Sequence, residues 1–128
     1  MGVDSAAARK ILDRAIQMEE RGDLQGARSA YQQAAALGSG TQIAARAELL
    51  VGNVHILLGE PQAGFQALRR AYQSGDPDIA PKATYALGMF YEHSGDMTGA
   101  RLAYEAALES GDSMVAPLAA AKLRALAS

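Results

Sequence analysis

The sequence predicts an all-α fold built from stacked helical hairpins. A helix-turn-helix pattern recurs three times, and each copy has a short turn in which glycine precedes an acidic residue. These turns, Gly22-Asp23, Gly59-Glu60 and Gly95-Asp96, lie 37 and 36 residues apart, a period typical of stacked helical pairs. The composition agrees, because many alanines and only 5% aromatic residues favour closely packed helices over a β-sandwich.

Seven helices follow from this pattern and its turn residues. We predict them over residues 5–21, 24–37, 42–58, 61–73, 79–94, 97–110 and 115–127. The helices form three repeats, over about 5–41, 42–78 and 79–114, and a capping helix over 115–127 completes a single domain over 1–128.

In the first pair, the turn Gly22-Asp23 is followed by Ala27, Tyr31 and Ala34 at i, i+4 and i+7. This spacing predicts a buried stripe on the second helix of the pair. In the second pair, Pro61 falls at the first position of the second helix, where its missing N–H costs little.

In the third pair, Leu87 and Tyr91 are four residues apart and share one face of the first helix. Gly88 has no side chain, so a second helix can approach closely at this position. Gly95 suits the left-handed conformation that ends a helix, and Asp96 can cap the next one.

The linkers between pairs carry further signals of helix starts. Asp78 and Ser113 are the expected N-caps of the fifth and seventh helices. Pro81 and Pro117 then fall in the first turns of those helices, so no proline interrupts a helix interior.

Six residues of the third unit form a recognisable set: Leu87, Gly88, Tyr91, Ala100, Tyr104 and Ala107. This set resembles the tetratricopeptide repeat, in which Leu-Gly and an aromatic residue precede a second helix with Ala, an aromatic residue and Ala. The first unit keeps Ala27, Tyr31 and Ala34 but has Arg14 and Ala15 at the Leu-Gly positions. The second unit keeps Gly52 and Ala71, with substitutes at Val51, His55, Gly64 and Leu68.

The repeat period is longer than the roughly 34 residues usual for the tetratricopeptide repeat. Sel1-like repeats also run longer, but their turn within the pair is larger than Ser94-Gly95-Asp96. The tetratricopeptide interpretation is therefore preferred, with some Sel1-like character. Either resemblance implies a right-handed α-solenoid of three helix-turn-helix repeats plus a C-terminal capping helix.

The resemblance also implies a function in protein–protein interaction. In the family, the first helix of each pair lines a concave groove that holds an extended peptide or a helix of a partner. The corresponding positions in this sequence are Arg9, Leu12, Ile16, Arg46, Leu49, Leu50, Asn53, Leu57, Lys82, Tyr85, Met89 and His93. Because the central positions are largely apolar, we expect the partner to offer an apolar or amphipathic segment, anchored by Asn53 and Lys82.

Some family members grip a C-terminal carboxylate with lysine, arginine and asparagine side chains. Here Arg46, Asn53 and Lys82 match part of such a clamp, but the lysine and asparagine expected in the first unit are absent. Arg9 is a candidate replacement for that lysine, whereas Asp13 and Glu20 would repel a carboxylate.

Three alternatives remain open at this point. The helix AELLVGNVHILLG is almost entirely apolar, so most of Leu49, Leu50, Ile56 and Leu57 are expected in the core rather than in a binding surface. If they are exposed, a homo-oligomer formed through these residues is the first alternative.

A structural assembly protein that associates with itself, through its ends or through a convex face with Met97, Leu102 and Leu108, is the second alternative. A regulatory domain of a larger protein is the third.

The sequence contains no convincing catalytic or metal-binding constellation, and we expect neither enzymatic activity nor a cofactor. There is no cysteine, and His55 and His93 do not form an H-x-x-x-H pair. His55 replaces the aromatic residue of the repeat, so we interpret it as a hydrogen-bonded structural histidine. Glu19 and Glu20 are adjacent and point apart on a helix, which suits a solvated face better than acid–base catalysis.

Charge and hydropathy argue against nucleic acid as a partner and against insertion into a membrane. The net charge of −2 gives no general attraction to nucleic acid, and no apolar run reaches membrane-spanning length. The opening residues MGVDSAAARK lack the features of a signal peptide, so a cytoplasmic location is the default expectation.

Overall fold

A computed structural model describes residues 4–128, which form seven α-helices and no strand. The helices are α1 (Ser5–Glu20), α2 (Leu24–Leu37), α3 (Gln42–Leu57), α4 (Pro61–Gln73), α5 (Ile79–Ser94), α6 (Met97–Glu109) and α7 (Val115–Ala127). All seven predicted helices are present, and their ends differ from the prediction by at most one residue. Residues 1–3, which the predicted domain includes, lie outside the described part of the chain.

The order of helix contacts shows that the fold is a solenoid. Each helix packs on the next one in the chain. The first helices of the pairs also contact one another, α1 with α3, α3 with α5 and α5 with α7, whereas the second helices α2, α4 and α6 do not within the described residues. Because only the first helices converge, they form the inner layer of a curved stack and line its concave side.

Glycine permits the closest approach between the two helices of a pair. A Cβ atom on Gly88 of α5 would lie 2.6 Å from the ring of Tyr104 on α6. A Cβ atom on Gly52 of α3 would similarly lie 2.8 Å from the side chain of Leu68 on α4. These distances are shorter than carbon–carbon contact, so the glycines let Tyr104 and Leu68 become fully buried. The predicted role of Gly88 is confirmed.

One buried hydrogen bond is repeated in two of the three units. The hydroxyl of Tyr31 donates to Glu19 Oε1 at 2.6 Å, and the hydroxyl of Tyr104 donates to Glu92 Oε1 at 2.7 Å. Glu19 is therefore not the purely solvated residue that the sequence suggested. In the second unit, Leu68 and Ile56 occupy the same two positions, so the polar pair is replaced by an apolar one.

Aspartates cap five of the seven described helices, partly at unexpected positions. Asp23 and Asp96 accept hydrogen bonds from the third residue of the following helix, as predicted for Asp96. The caps expected at Asp78 and Ser113 are not formed. Instead, Asp76 accepts a hydrogen bond from the backbone N–H of Ile79 at 3.0 Å. At the start of α7, Asp112 accepts one from the backbone N–H of Val115 at 2.9 Å.

None of the described helices combines the length and apolarity that crossing a membrane requires.

Candidate partner-binding groove

An apolar concavity lies between the C-terminal halves of α3 and α5 and the adjoining helix α7. Its volume is about 610 Å³. Its wall consists of Asn53, Ile56, Leu57, Pro61, Ala86, Met89, Phe90, Glu92, His93, Ser94 and Lys122. Since these residues come mainly from first helices, the concavity belongs to the concave side of the solenoid.

The floor of this concavity is apolar and open to solvent. Leu57 is 65% exposed, and Met89 on the neighbouring first helix is 37% exposed. Ile56 is exposed to the same extent as Met89, and Pro61 closes the edge of the floor. Large apolar side chains face water along two adjacent helices here. Covering such a surface with a partner lowers the free energy of the system.

The second unit contributes to this floor through its departure from the other two units. Glu19 and Glu92 point their carboxylates at buried tyrosines, whereas Ile56 occupies the same position on α3 and presents an aliphatic side chain. Ile56 also covers Gly64 of α4, where an added Cβ atom would lie 2.7 Å from Ile56 Cγ1. The apolar floor therefore coincides with the loss of the Tyr–Glu pair.

Polar groups border the apolar floor on several sides. Asn53 and His93 are exposed on α3 and α5. Lys122 Nζ lies 3.7 Å from Glu92 Oε1, the same carboxylate oxygen that accepts the hydrogen bond of Tyr104. These groups can hydrogen-bond to a segment whose apolar side chains rest on the floor.

The other end of the groove is smaller and more polar. A concavity of about 260 Å³ is lined by Arg9, Leu12, Asp13, Ile16, Gln42, Ile43 and Arg46. Arg46 and Lys82 both reach Asp78, at 3.3 Å and 3.4 Å, so this single carboxylate partly neutralises two groove cations. The polar anchor predicted at Lys82 is thus already engaged with Asp78.

The structure places the predicted groove residues in two groups. Those available on the concave side are Arg9, Ile16, Arg46, Leu50, Asn53, Leu57, Lys82, Met89 and His93, each of which is exposed or half-buried. Leu12 and Leu49 instead contribute to packing, whereas the half-buried Tyr85 packs partly against the core of the third unit. Leu12 is buried in the core of the first unit, and Leu49 is only 8% exposed among core residues of α3, α4 and α5.

Leu49 is removed from the candidate surface for a physical reason. A side chain that neighbouring helices already cover has little area left for a partner. Tyr85 is half-buried, and its ring lies 5.6 Å from that of Tyr104. The expectation that most of Leu49, Leu50, Ile56 and Leu57 lie in the core is wrong: Leu49 is buried and Leu50 is half-buried, but Ile56 and Leu57 are exposed.

The sequence prediction omitted several lining residues, among them Pro61 and Phe90. Pro61 was interpreted only as a helix-starting residue, and Phe90 was not singled out. Phe90 lies 4.9 Å from the ring of Phe65 on α4, so its position depends on contact between the second and third units. Because aromatic rings tend to pack together, the sequence gives a weak indication that Phe65 and Phe90 are in contact. Only the packing of the two units shows on which surface Phe90 lies.

His55 has the structural role that the sequence suggested. It is buried, and its Nδ1 lies 2.7 Å from Glu60 Oε1. The other oxygen of Glu60 accepts from Arg28 Nη1 of α2 at 2.6 Å. The hydrogen bond to His55, followed by the one from Arg28, lowers the pKa of Glu60 from its usual value. The network ties the second unit to the first and does not enter the groove.

Within residues 4–128, no three side chains of histidine, cysteine, aspartate or glutamate come together as a metal site.

Comparison with known proteins identifies the family of the chain. A family model described as a tetratricopeptide repeat-like domain matches residues 4–128. The N-terminal domain of stress-induced protein-1 from C. elegans aligns over 100% of both chains, with a TM-score of 0.82 and 16% identity. A structure of PcrH in complex with the chaperone binding region of PopD aligns over 98% of this chain and 95% of that one, with a TM-score of 0.84 and 18% identity. No curated protein sequence matches the chain significantly.

Proposed function

The chain belongs to the family of tetratricopeptide repeat-like domains, and from this premise we propose that it is a protein-interaction module. Its concave groove binds an apolar or amphipathic segment of a partner protein. The observation that carries the proposal is the open floor formed by Ile56, Leu57 and Met89, which borders a concavity of about 610 Å³. The role is one of binding rather than catalysis.

The size of the apolar floor supports a short segment as ligand. Covering a leucine or methionine side chain contributes on the order of 1–2 kcal/mol to the binding free energy. Two or three such side chains therefore supply a substantial part of the binding free energy of a micromolar complex. A helix offers such anchors at i, i+3 or i+4, and an extended peptide offers them at alternate residues. Either backbone fits an open floor that spans two neighbouring helices.

Polar groups next to the floor support an amphipathic rather than a wholly apolar ligand. Asn53, His93 and Lys122 stand beside Leu57 and Met89 and can accept or donate hydrogen bonds. One of the similar structures also holds PcrH in complex with a region of another protein, which is consistent with a binding role for this architecture.

The experiment is affinity capture from an extract of the native cells, followed by affinity measurements with the captured segment in purified form. We expect the double variant Leu57→Ser, Met89→Ser to bind at least about tenfold more weakly, because two apolar anchors are lost. Both side chains are exposed, so the substitutions should leave the fold intact, which circular dichroism can verify.

The chain offers a matched control on α6, outside the groove. Leu102 is 61% exposed and Met97 is 47% exposed, close to the values for Leu57 and Met89. The double variant Leu102→Ser, Met97→Ser should keep the wild-type affinity. Equal affinities for the groove variant, the control variant and the wild type would remove the groove as the binding site.

A further inference from the structure

Most carboxylates of the described chain have a partner, and only four do not. Ten of the acidic side chains accept a hydrogen bond from a helix N-terminus or a tyrosine, or form an ion pair. Within residues 4–128, the four acidic residues with neither are Asp13, Glu20, Glu105 and Glu109. The last two are exposed on α6 and are separated by one helical turn.

Three cations on one side of α1, the last of them just past the end of the helix, are also without partners. Lys10, Arg14 and Arg21 are exposed at i, i+4 and i+11, and none lies within ion-pair distance of a described carboxylate. They share the side of α1 opposite to its buried residues. The neighbouring helix α2 has no acidic residue in its sequence, so this positive surface is not compensated from there.

The two unpaired groups have the same geometry. Lys10 and Arg14 are four residues apart on a helix, and so are Glu105 and Glu109. Each separation corresponds to about 6 Å along the helix axis, so two ion pairs can form together when these helices lie side by side. Arg101 lies one turn before Glu105 and reduces the negative charge of α6 without cancelling it.

From this match we infer that the chain associates with a second copy of itself, with α1 of one copy against α6 of the other. The surface lies outside the groove, so the inference does not depend on the binding function proposed above. The contact joins two different surfaces of the same chain, which makes it heterologous. A foreign acidic protein would also be attracted to α1, but the matching spacing of the α6 glutamates favours the second copy.

The contact should be weak and sensitive to salt. Ion pairs between exposed side chains contribute little individually, and they are screened within about 10 Å at 0.1 M salt. The association is therefore expected at high protein concentration and low ionic strength. It should decrease steadily as salt is added.

Charge reversal gives a direct test on the full chain by sedimentation equilibrium. At about 20 mM salt, where screening is weak, we expect the average mass of the wild type to rise with concentration. The variants Lys10→Glu, Arg14→Glu and Glu105→Lys, Glu109→Lys should each associate at least about tenfold more weakly, because like charges then face each other.

Recombining the reversed charges tests the pairing itself. An equimolar mixture of the two double variants, and a single chain that carries all four reversals, should regain the wild-type association. The variant Arg124→Glu reverses an exposed cation on α7 and should associate like the wild type. A monomeric wild type under these conditions, or a mixture that stays monomeric, would overturn the inference, even if α1 binds an acidic peptide such as polyglutamate.

Discussion

The buried tyrosine hydroxyl is the residue-scale feature that distinguishes the units most clearly. Burial, followed by the hydrogen bond to the nearby glutamate, raises the pKa of Tyr31 and of Tyr104 far above the usual value. Each hydroxyl therefore remains a donor throughout the alkaline range in which an exposed tyrosine ionises. The second unit has no such polar pair, because Leu68 and Ile56 occupy the two corresponding positions.

Removing one of these hydroxyls should destabilise the fold measurably. We expect Tyr104→Phe to lower the free energy of unfolding by about 1–2 kcal/mol, because Glu92 loses a charge-assisted hydrogen bond. Urea denaturation monitored by circular dichroism measures this difference. The exposed Tyr72, whose hydroxyl makes no hydrogen bond within the described residues, provides the control. Equal losses for Tyr104→Phe and Tyr72→Phe would contradict the assigned role.

Glu60 predicts a pH dependence with a definite sign. Its folded-state pKa lies below the usual value of 4.5, so the charged form is favoured by folding. The stabilisation is fully present above the unfolded-state pKa and disappears as the pH falls through the lower folded-state pKa. We expect Glu60→Gln to be less stable than the wild type at pH 7, with a gap that narrows below the usual pKa of 4.5 and closes as the pH falls through the lower folded-state pKa.

The measurement is urea denaturation of the wild type and of Glu60→Gln at several pH values, down to the lowest pH at which both remain folded. A difference in unfolding free energy that stays constant across this range would show that ionisation of Glu60 is not involved. The variant Glu105→Gln serves as control, since this carboxylate has no partner within the described residues.

At the scale of the helix, the two long linkers between units use the same local structure. Ser74 and Ser110 donate to the backbone carbonyl three residues earlier, and Asp76 and Asp112 bond to the N–H groups that open the next helix. The sequence predicted the helix starts correctly but placed the caps one or two residues too late. Several polar residues precede each start, and only the folded turn decides which side chain reaches the free N–H groups.

The corrected cap leads to a prediction with an internal control. We expect Asp112→Ala to lower the free energy of unfolding by about 1 kcal/mol, because the first turn of α7 loses its acceptor. Ser113→Ala should change it by no more than a few tenths of a kcal/mol, since its side chain caps nothing. Urea denaturation of both variants distinguishes the two positions, and a larger loss for Ser113→Ala would restore the original assignment.

The helices could be predicted from the sequence, whereas the exposure of individual groove residues could not. Gly-Asp turns and first-turn prolines are local signals, and they located every helix end within one residue. Leu49 and Leu57 belong to the same nearly uniform apolar helix, so its pattern does not say which one faces a neighbour. The packing of α4 and α5 buries the former and leaves the latter exposed.

At the scale of the whole molecule, the groove results from unequal packing of the two layers. The first helices contact one another from α1 to α7, while the second helices are farther apart, so the stack curves around its first helices. The resemblance to the tetratricopeptide repeat predicted this architecture, and the family match confirms it. The apolar floor depends additionally on the substitutions in the second unit, which a family pattern does not specify.

The most direct test of the binding proposal is to map the contact surface by nuclear magnetic resonance, residue by residue. The isotope-labelled chain is titrated with the captured partner segment, and the change in each amide signal is recorded. We predict the largest changes at Asn53, Leu57, Met89 and His93 on α3 and α5. Changes confined to α2, α4 and α6, with these four signals unaltered at saturation, would contradict a binding site in the groove.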